Sequence, residues 1–249
     1  MSLSLNFSGK KILVTGGTRG IGKKIATQFL INGADVTITG TKFINESKLK
    51  KDWGFENINF KRVDFLQKES VSKFLDWINN QKKIDILVNN AGINKVDLNV
   101  DSKTSDFDNL IDVNLKGPYL VCREVSSLMK KNKYGRIVNI SSIWGSITRT
   151  GRSLYSSSKF GLVGLTKTLA VELAAHGILV NSVAPGFTMT ELTKKTNSRK
   201  EIEDLKNIIP IKRLAEPIEI ARLILFITSE MNTYLTGQNI IIDGGYTNI

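Results

Sequence analysis

Seven short apolar runs alternate with helical stretches along the chain, and this alternation limits the possible folds more than any other feature. The runs fall at 11–15, 35–39, 58–63, 84–88, 136–140, 178–183 and 239–242. Each has the length and β-branched content of a buried strand. Between them the apolar spacing becomes helical, as at Ile21, Ile25, Phe29 and Leu30, giving predicted helices at 21–32, 44–52, 68–80, 104–131, 153–175, 190–207 and 217–228. Pro217 suits the first turn of the last one. Such a series implies right-handed crossovers and a parallel sheet covered by helices on both faces. No linker or low-complexity segment interrupts it, so residues 1–249 read as one α/β domain. Ligands in such sheets bind outside the carboxyl ends of the strands, so the residues just after each run carry the functional information.

Composition narrows the function. Hydrophobic residues make up 41% and charged residues 23%, as in ordinary soluble globular proteins. The first residues lack the apolar core of a signal peptide, and no run approaches a membrane span, so a cytoplasmic protein is expected. One cysteine, Cys122, and one histidine, His176, leave little material for a disulfide, a metal cage or a Ser-His-Asp triad. No metal is expected. The net charge of +12 raises the question of nucleic acid. The lysines are nevertheless scattered, with short clusters only near 48–51, 130–133 and 194–195, which describes a solvated surface. That surface also suits a phosphorylated cofactor or an acidic carrier.

After the first run comes Thr15-Gly16-Gly17-Thr18-Arg19-Gly20-Ile21-Gly22. Its glycines stand where a backbone turns tightly, approaches a pyrophosphate and packs against a sheet, and the following helix points free N–H groups at an anion. A glycine-rich turn with no ligand is the alternative. The second run ends in Gly40-Thr41-Lys42 without the carboxylate that binds a ribose hydroxyl in NAD sites, since Asp35 lies at its beginning. Arg19 and Lys42 offer charge to a 2′-phosphate, favouring NADP(H) over NAD, or are surface charges. Asp64 can accept from an adenine amino group, and Asn89-Asn90-Ala91-Gly92 can form a wall against a ribose; both segments also read as turns.

Tyr155 and Lys159 are four apart on a predicted helix and so share a face. A neighbouring ammonium favours the ionised phenol, which otherwise titrates near 10 and is a poor acid or base at neutral pH. Ser142, thirteen residues upstream, can hydrogen-bond the same reacting oxygen. The pair alone also reads as plain helix surface. The loop 143–154 adds Trp144, Arg149 and Arg152, whose guanidinium groups suit either a carboxylate or phosphate on the substrate or a surface or subunit contact.

With the glycine loop, Asn89–Gly92, Asn114, Ser142, Tyr155, Lys159 and Pro185-Gly186 in order, essentially the whole chain resembles the short-chain dehydrogenase/reductases. The resemblance implies a single Rossmann-type doubly wound domain with a seven-stranded parallel sheet flanked by helices, and a substrate lid at about 187–210. It implies that Tyr155 is the acid/base, that Ser142 orients the substrate carbonyl, and that Lys159 tunes Tyr155 and binds the nicotinamide ribose. Asn114 would hold a water linking Lys159 to solvent, a role compatible with that of a buried amide satisfying backbone in a helix kink. Pro185, Gly186, Thr188 and Thr190 would border the nicotinamide. The implied reaction is NADPH-dependent reduction of a carbonyl, with a 3-oxoacyl thioester on an acidic carrier as first substrate class and Lys133 and His176 at the carrier-docking positions. A homotetramer assembled through 104–131 and 153–175 would follow, with neither nucleic acid nor membrane as partner. Two alternatives stand beside it: a dehydrogenase of a sugar, sugar nucleotide or other polar alcohol, and a nucleotide-binding regulatory protein without turnover.

Overall fold

A computed structural model describes residues 5–249, the side chains of Leu192 and Thr196 excepted. The strands are β1 (Lys11–Val14), β2 (Asp35–Gly40), β3 (Ile58–Arg62), β4 (Ile86–Asn89), β5 (Gly135–Ile140), β6 (Ile178–Pro185) and β7 (Asn239–Ile242). They form one all-parallel sheet in the order β3-β2-β1-β4-β5-β6-β7. The order reverses between β1 and β4, which opens a crevice beyond their carboxyl ends.

The helices are α1 (Gly20–Ile31), α2 (Glu46–Trp53), α3 (Lys68–Asn79), α4 (Thr104–Ile111), α5 (Gly117–Asn132), α6 (Ser153–Leu173), α7 (Glu191–Thr196), α8 (Arg199–Ile208) and α9 (Pro217–Thr228). Both faces of β1 are covered because adjacent strand residues point to opposite sides. Ile12 and Val14 join Ile25 and Phe29 of α1 and Ile224 and Leu225 of α9, whereas Leu13 joins Phe74 of α3, Val121 and Val125 of α5 and Leu173 of α6. Burying each such side chain contributes about 1.5–3 kcal/mol.

Two predicted helices are divided. The stretch 104–131 is interrupted by a π-helical turn at Asp112–Lys116, an inserted residue that apolar periodicity does not register. The stretch 190–207 is two helices, because Asn197 is extended and Ser198 starts α8 with a capping box to Glu201. The run at 84–88 enters the sheet only at Ile86. No helix among the described residues is long and apolar enough to cross a membrane.

Candidate active site

The two loops of the crevice are sewn together by Thr15 and Asn90. The Thr15 hydroxyl accepts from the backbone N–H groups of Asn90 at 3.0 Å and Ala91 at 3.1 Å. In return the Asn90 amide donates to the carbonyls of Thr15 and Gly16, both at 3.0 Å. Gly16 has φ +64°, and a Cβ there would stand 2.9 Å from the Ala91 Cα, so a side chain is excluded twice over. Gly22, in the first turn of α1, packs against the Asn90 amide and the Gly16 carbonyl, again with no room for a Cβ. Thr18 lies over Gly40 at the end of β2. The loop thus joins three strand ends.

No side chain caps α1, and its N-cap is Arg19, an exposed cation. The first-turn N–H groups of Gly20, Ile21 and Gly22 therefore lack the usual side-chain partner. Asp35 sits at the amino end of β2, paired in register with Lys11, and accepts from the Asn59 amide at 2.9 Å. It is far from the crevice. At the carboxyl end stand exposed Thr41 and Lys42, joined by Arg62 of β3, whose Nε donates to the Thr41 carbonyl at 2.9 Å. Three cations and an open helix start, with no carboxylate at the strand end, fit a dinucleotide phosphate. Asp64 is half-buried, and its carboxylate accepts from the Leu66 N–H at 3.1 Å, the turn geometry its neighbours suggest.

Beyond β5 the chain presents Ser142 in extended conformation, its Oγ accepting from the Trp144 N–H at 3.2 Å. Tyr155 and Lys159 come from the first turns of α6. The Lys159 ammonium is buried, donates to the Ile140 carbonyl at 2.8 Å, and lies 5.6 Å from the Tyr155 ring centre. Burial pulls its pKa down to about 8. Tyr155 differs from the sequence expectation, since its pKa is raised. Burial is the largest cause, opposed by a hydrogen-bonding interaction with Ser142 and by the positive charge of Arg152. With its pKa raised, the phenol stays protonated at neutral pH, and the positive charge that opposes the rise is that of Arg152.

Asn114 occupies the π-helical turn and is fully buried. Its carboxamide binds Ile93 reciprocally, accepting from the N–H and donating to the carbonyl at 2.9 Å each, and donates to Ser158 at 3.1 Å. It fixes the loop after β4. Gly92 in that loop stands so close that a Cβ would be 3.3 Å from the Asn114 Oδ1 and 3.7 Å from the Lys159 Nζ.

Pro185 ends β6, and Gly186 packs on Asp243, where a Cβ would meet the aspartate side chain at 2.7 Å. The Thr188 hydroxyl donates to the Gly186 carbonyl at 3.2 Å, and Thr190 caps α7. Thr190 also faces Gly20 of the glycine loop, 3.7 Å from a Cβ placed there. A cleft of about 520 Å³ runs between Arg149, Arg152 and Asn94 on one side and Phe187, Thr193 and α8 on the other. Trp144 is buried beneath it, edge-on to Phe187 and Tyr246 at 6.3 Å.

All the expected catalytic residues therefore converge at one end of the sheet. Lys133 and His176 do not. They precede β5 and β6 and lie at the sheet's opposite end. Arg62, Asn94, Tyr246 and Asp243 were not expected at the site, and Thr15 was expected only as the first residue of the glycine loop. Arg62 alone carried a signal, as a cation among the last residues of the predicted strand 58–63.

Comparison with known proteins agrees with this arrangement. A short-chain dehydrogenase/reductase family model described as enoyl-(acyl carrier protein) reductase matches residues 16–247. The 3-oxoacyl-[acyl-carrier-protein] reductase FabG of Chlamydia pneumoniae is 40% identical over 98% of this chain and 100% of its own length. The structure of ElxO with NADP bound superposes with TM-score 0.90 at 37% identity, covering 96% of this chain and 99% of ElxO. A gluconate 5-dehydrogenase from Burkholderia cenocepacia J2315, solved with NADP and tartrate, superposes with TM-score 0.89 at 28% identity over 99% and 98% of the two chains. Together, the site and the likeness along nearly the full chain identify it as a member of the short-chain dehydrogenase/reductase family of oxidoreductases.

Proposed function

We propose that the protein reduces a ketone to a secondary alcohol with NADPH, Tyr155 delivering the proton, and that its substrate is a 3-oxoacyl thioester. The observation that carries the reading is the meeting of Ser142, Tyr155 and Lys159 beyond the carboxyl ends of the central strands, beside the glycine loop. The cofactor, when bound, supplies the hydride to the carbonyl carbon. The first turn of α1 would hold its pyrophosphate, with Arg19, Lys42 and Arg62 toward the 2′-phosphate and Asn90, Gly92 and Lys159 toward the ribose nearer the reacting end.

The chain's own residues then divide the work. Ser142 and Tyr155 offer hydrogen bonds to the carbonyl oxygen and stabilise the negative charge that grows there. A phenol kept protonated at neutral pH is the acid that reduction requires. After transfer, the Lys159 ammonium stabilises the phenolate, and protons return by way of Lys159 and a water held near Asn114. The segment 187–210 acts as the lid over the substrate, its α7 and α8 meeting at the extended residue Asn197.

The thioester reading is supported by the 40% identity to a carrier-protein reductase. A carrier docked on Lys133 and His176 of one chain faces away from that chain's Tyr155, since a six-residue strand separates them by about 20 Å. It would serve a neighbouring copy. Exposed Tyr119, Phe160 and Val171 on α5 and α6 are suited to assembly of a cytoplasmic homotetramer. The polar-alcohol reading draws on the arginines of the 143–154 loop. NADPH oxidation with acetoacetyl thioester, measured beside a panel of ketoses, tests the assignment; exclusive turnover of ketoses would reverse the choice of substrate.

A further inference from the structure

We propose that the cleft beside Tyr155 binds an anionic group on the ketone substrate, a carboxylate or a phosphate, between the guanidinium groups of Arg149 and Arg152. The inference rests on the reductase reading and specifies the chemistry that the same site selects.

Arg152 is the N-cap residue of α6, three residues before Tyr155, and only 8% exposed. One of its terminal nitrogens donates to the Asn94 Oδ1 at 3.2 Å, while its Nε is buried with no hydrogen-bond partner. Its guanidinium lies over the Trp144 ring at 5.3 Å, and that of Arg149 lies over the same ring at 5.2 Å. Two cations thus share one indole, which is itself held by Phe187 and Tyr246. Their mutual repulsion shows in Arg152, whose pKa is lowered first by burial and then by Arg149.

Among the described residues, no carboxylate forms an ion pair with either arginine. Glu201 and Asp204 line the opposite wall of the cleft, but Glu201 is engaged by the Ser198 N–H at 2.7 Å. A protein that buries one guanidinium, sets a second beside it and places no carboxylate within ion-pairing distance of either leaves their charge available to a ligand. Planar guanidinium groups match carboxylate and phosphate oxygens two at a time. An uncharged acyl chain would leave the buried Arg152 guanidinium without an anionic partner, a mismatch that polar sites reject strongly.

The test uses NADPH oxidation with two matched pairs of ketones: monoethyl 3-oxoadipate against ethyl 3-oxohexanoate, and acetoacetyl-4′-phosphopantetheine against acetoacetyl-pantetheine. The expected result is a preference of at least about 30-fold in kcat/KM for the anionic member of one pair. Arg149→Gln and Arg152→Gln should each reduce that ratio by about tenfold or more, chiefly through KM. The pair that responds tells whether the anion belongs to the ketone or to the pantetheine arm. Equal rates within both pairs, or ratios untouched by both substitutions, would overturn the proposal. Titration of tryptophan fluorescence with glutarate and with inorganic phosphate provides a readout independent of turnover. If no ketone is reduced, the reductase reading fails, and the anion site is then decided by whether either anion binds wild type and not the two variants. Arg149 is exposed, so its substitution keeps the test valid even where Arg152→Gln fails to fold.

Discussion

The Lys159 ammonium donates to the Ile140 carbonyl at 2.8 Å, so the last carbonyl of β5 fixes the cation 5.6 Å from the Tyr155 ring centre. This places a buried positive charge where a phenolate forms during reduction. The same burial that makes the charge effective also makes it costly in the free protein.

That cost predicts a pH signature. Lys159 titrates near 8 when folded and near 10.5 when unfolded, so between these values the unfolded chain binds more protons. Stability contributed by this group therefore rises as pH increases from 8 to 10.5, by on the order of 3 kcal/mol. Denaturant unfolding of wild type and Lys159→Met across pH 7–10.5 should show the difference between them shifting in favour of wild type above pH 8. Reductive kcat/KM should fall over the same range as the ammonium is lost.

Cofactor choice should depend on the strand-end cations. Arg19→Ala and Lys42→Ala should each raise KM for NADPH by about tenfold, with little change for NADH, because an exposed phosphate contact is worth about 1–1.5 kcal/mol. Equal losses with both cofactors would place the 2′-phosphate elsewhere.

The glycine loop should tolerate no side chain at Gly22. A Cβ there collides with the Asn90 amide and the Gly16 carbonyl, which together hold the β1 and β4 loops in place. Gly22→Ala should lower NADPH affinity at least about tenfold, measured by fluorescence titration, while the circular dichroism spectrum keeps its α/β shape.

At the base of the 187–210 segment, Arg213 grips Glu219 through two hydrogen bonds of 2.6 and 2.7 Å. The Glu219 carboxylate also accepts from the Glu216 N–H at 2.8 Å, and its pKa falls to about 2, with the Arg213 hydrogen bond as the largest cause. A depressed acid stabilises fully above its unfolded value near 4.5, and this is lost as pH falls toward 2. Glu219→Gln should therefore cost about 1 kcal/mol at pH 7, allowing for solvent screening, and nothing near pH 2. Urea midpoints at the two pH values check this.

Strand and helix types could be read from the sequence because burial on both faces of a parallel sheet imposes continuous apolar runs, and helices over that sheet impose a 3.6-residue period. The π-helical turn at Asn114 was invisible to period counting, since one inserted residue barely changes the apolar face. The break at Asn197 was legible in Ser198 and Glu201, whose spacing is that of a capping box. Among the site residues, those following strands were found because the sheet's carboxyl edge gathers them. Asn94 and Tyr246 were not found, for each reaches the cleft from a loop whose path no local pattern sets. The direction of the Tyr155 shift also escaped the sequence, since spacing reveals a neighbouring cation but not how deeply both groups are buried.

Substitution of Tyr155 by Phe tests the central claim most directly. The phenyl ring keeps the packing but cannot give a proton, so NADPH-dependent turnover of acetoacetyl thioester should drop by about 10²–10⁴-fold, while NADPH binding stays within about twofold of wild type. Turnover at the wild-type rate in that variant would contradict the account.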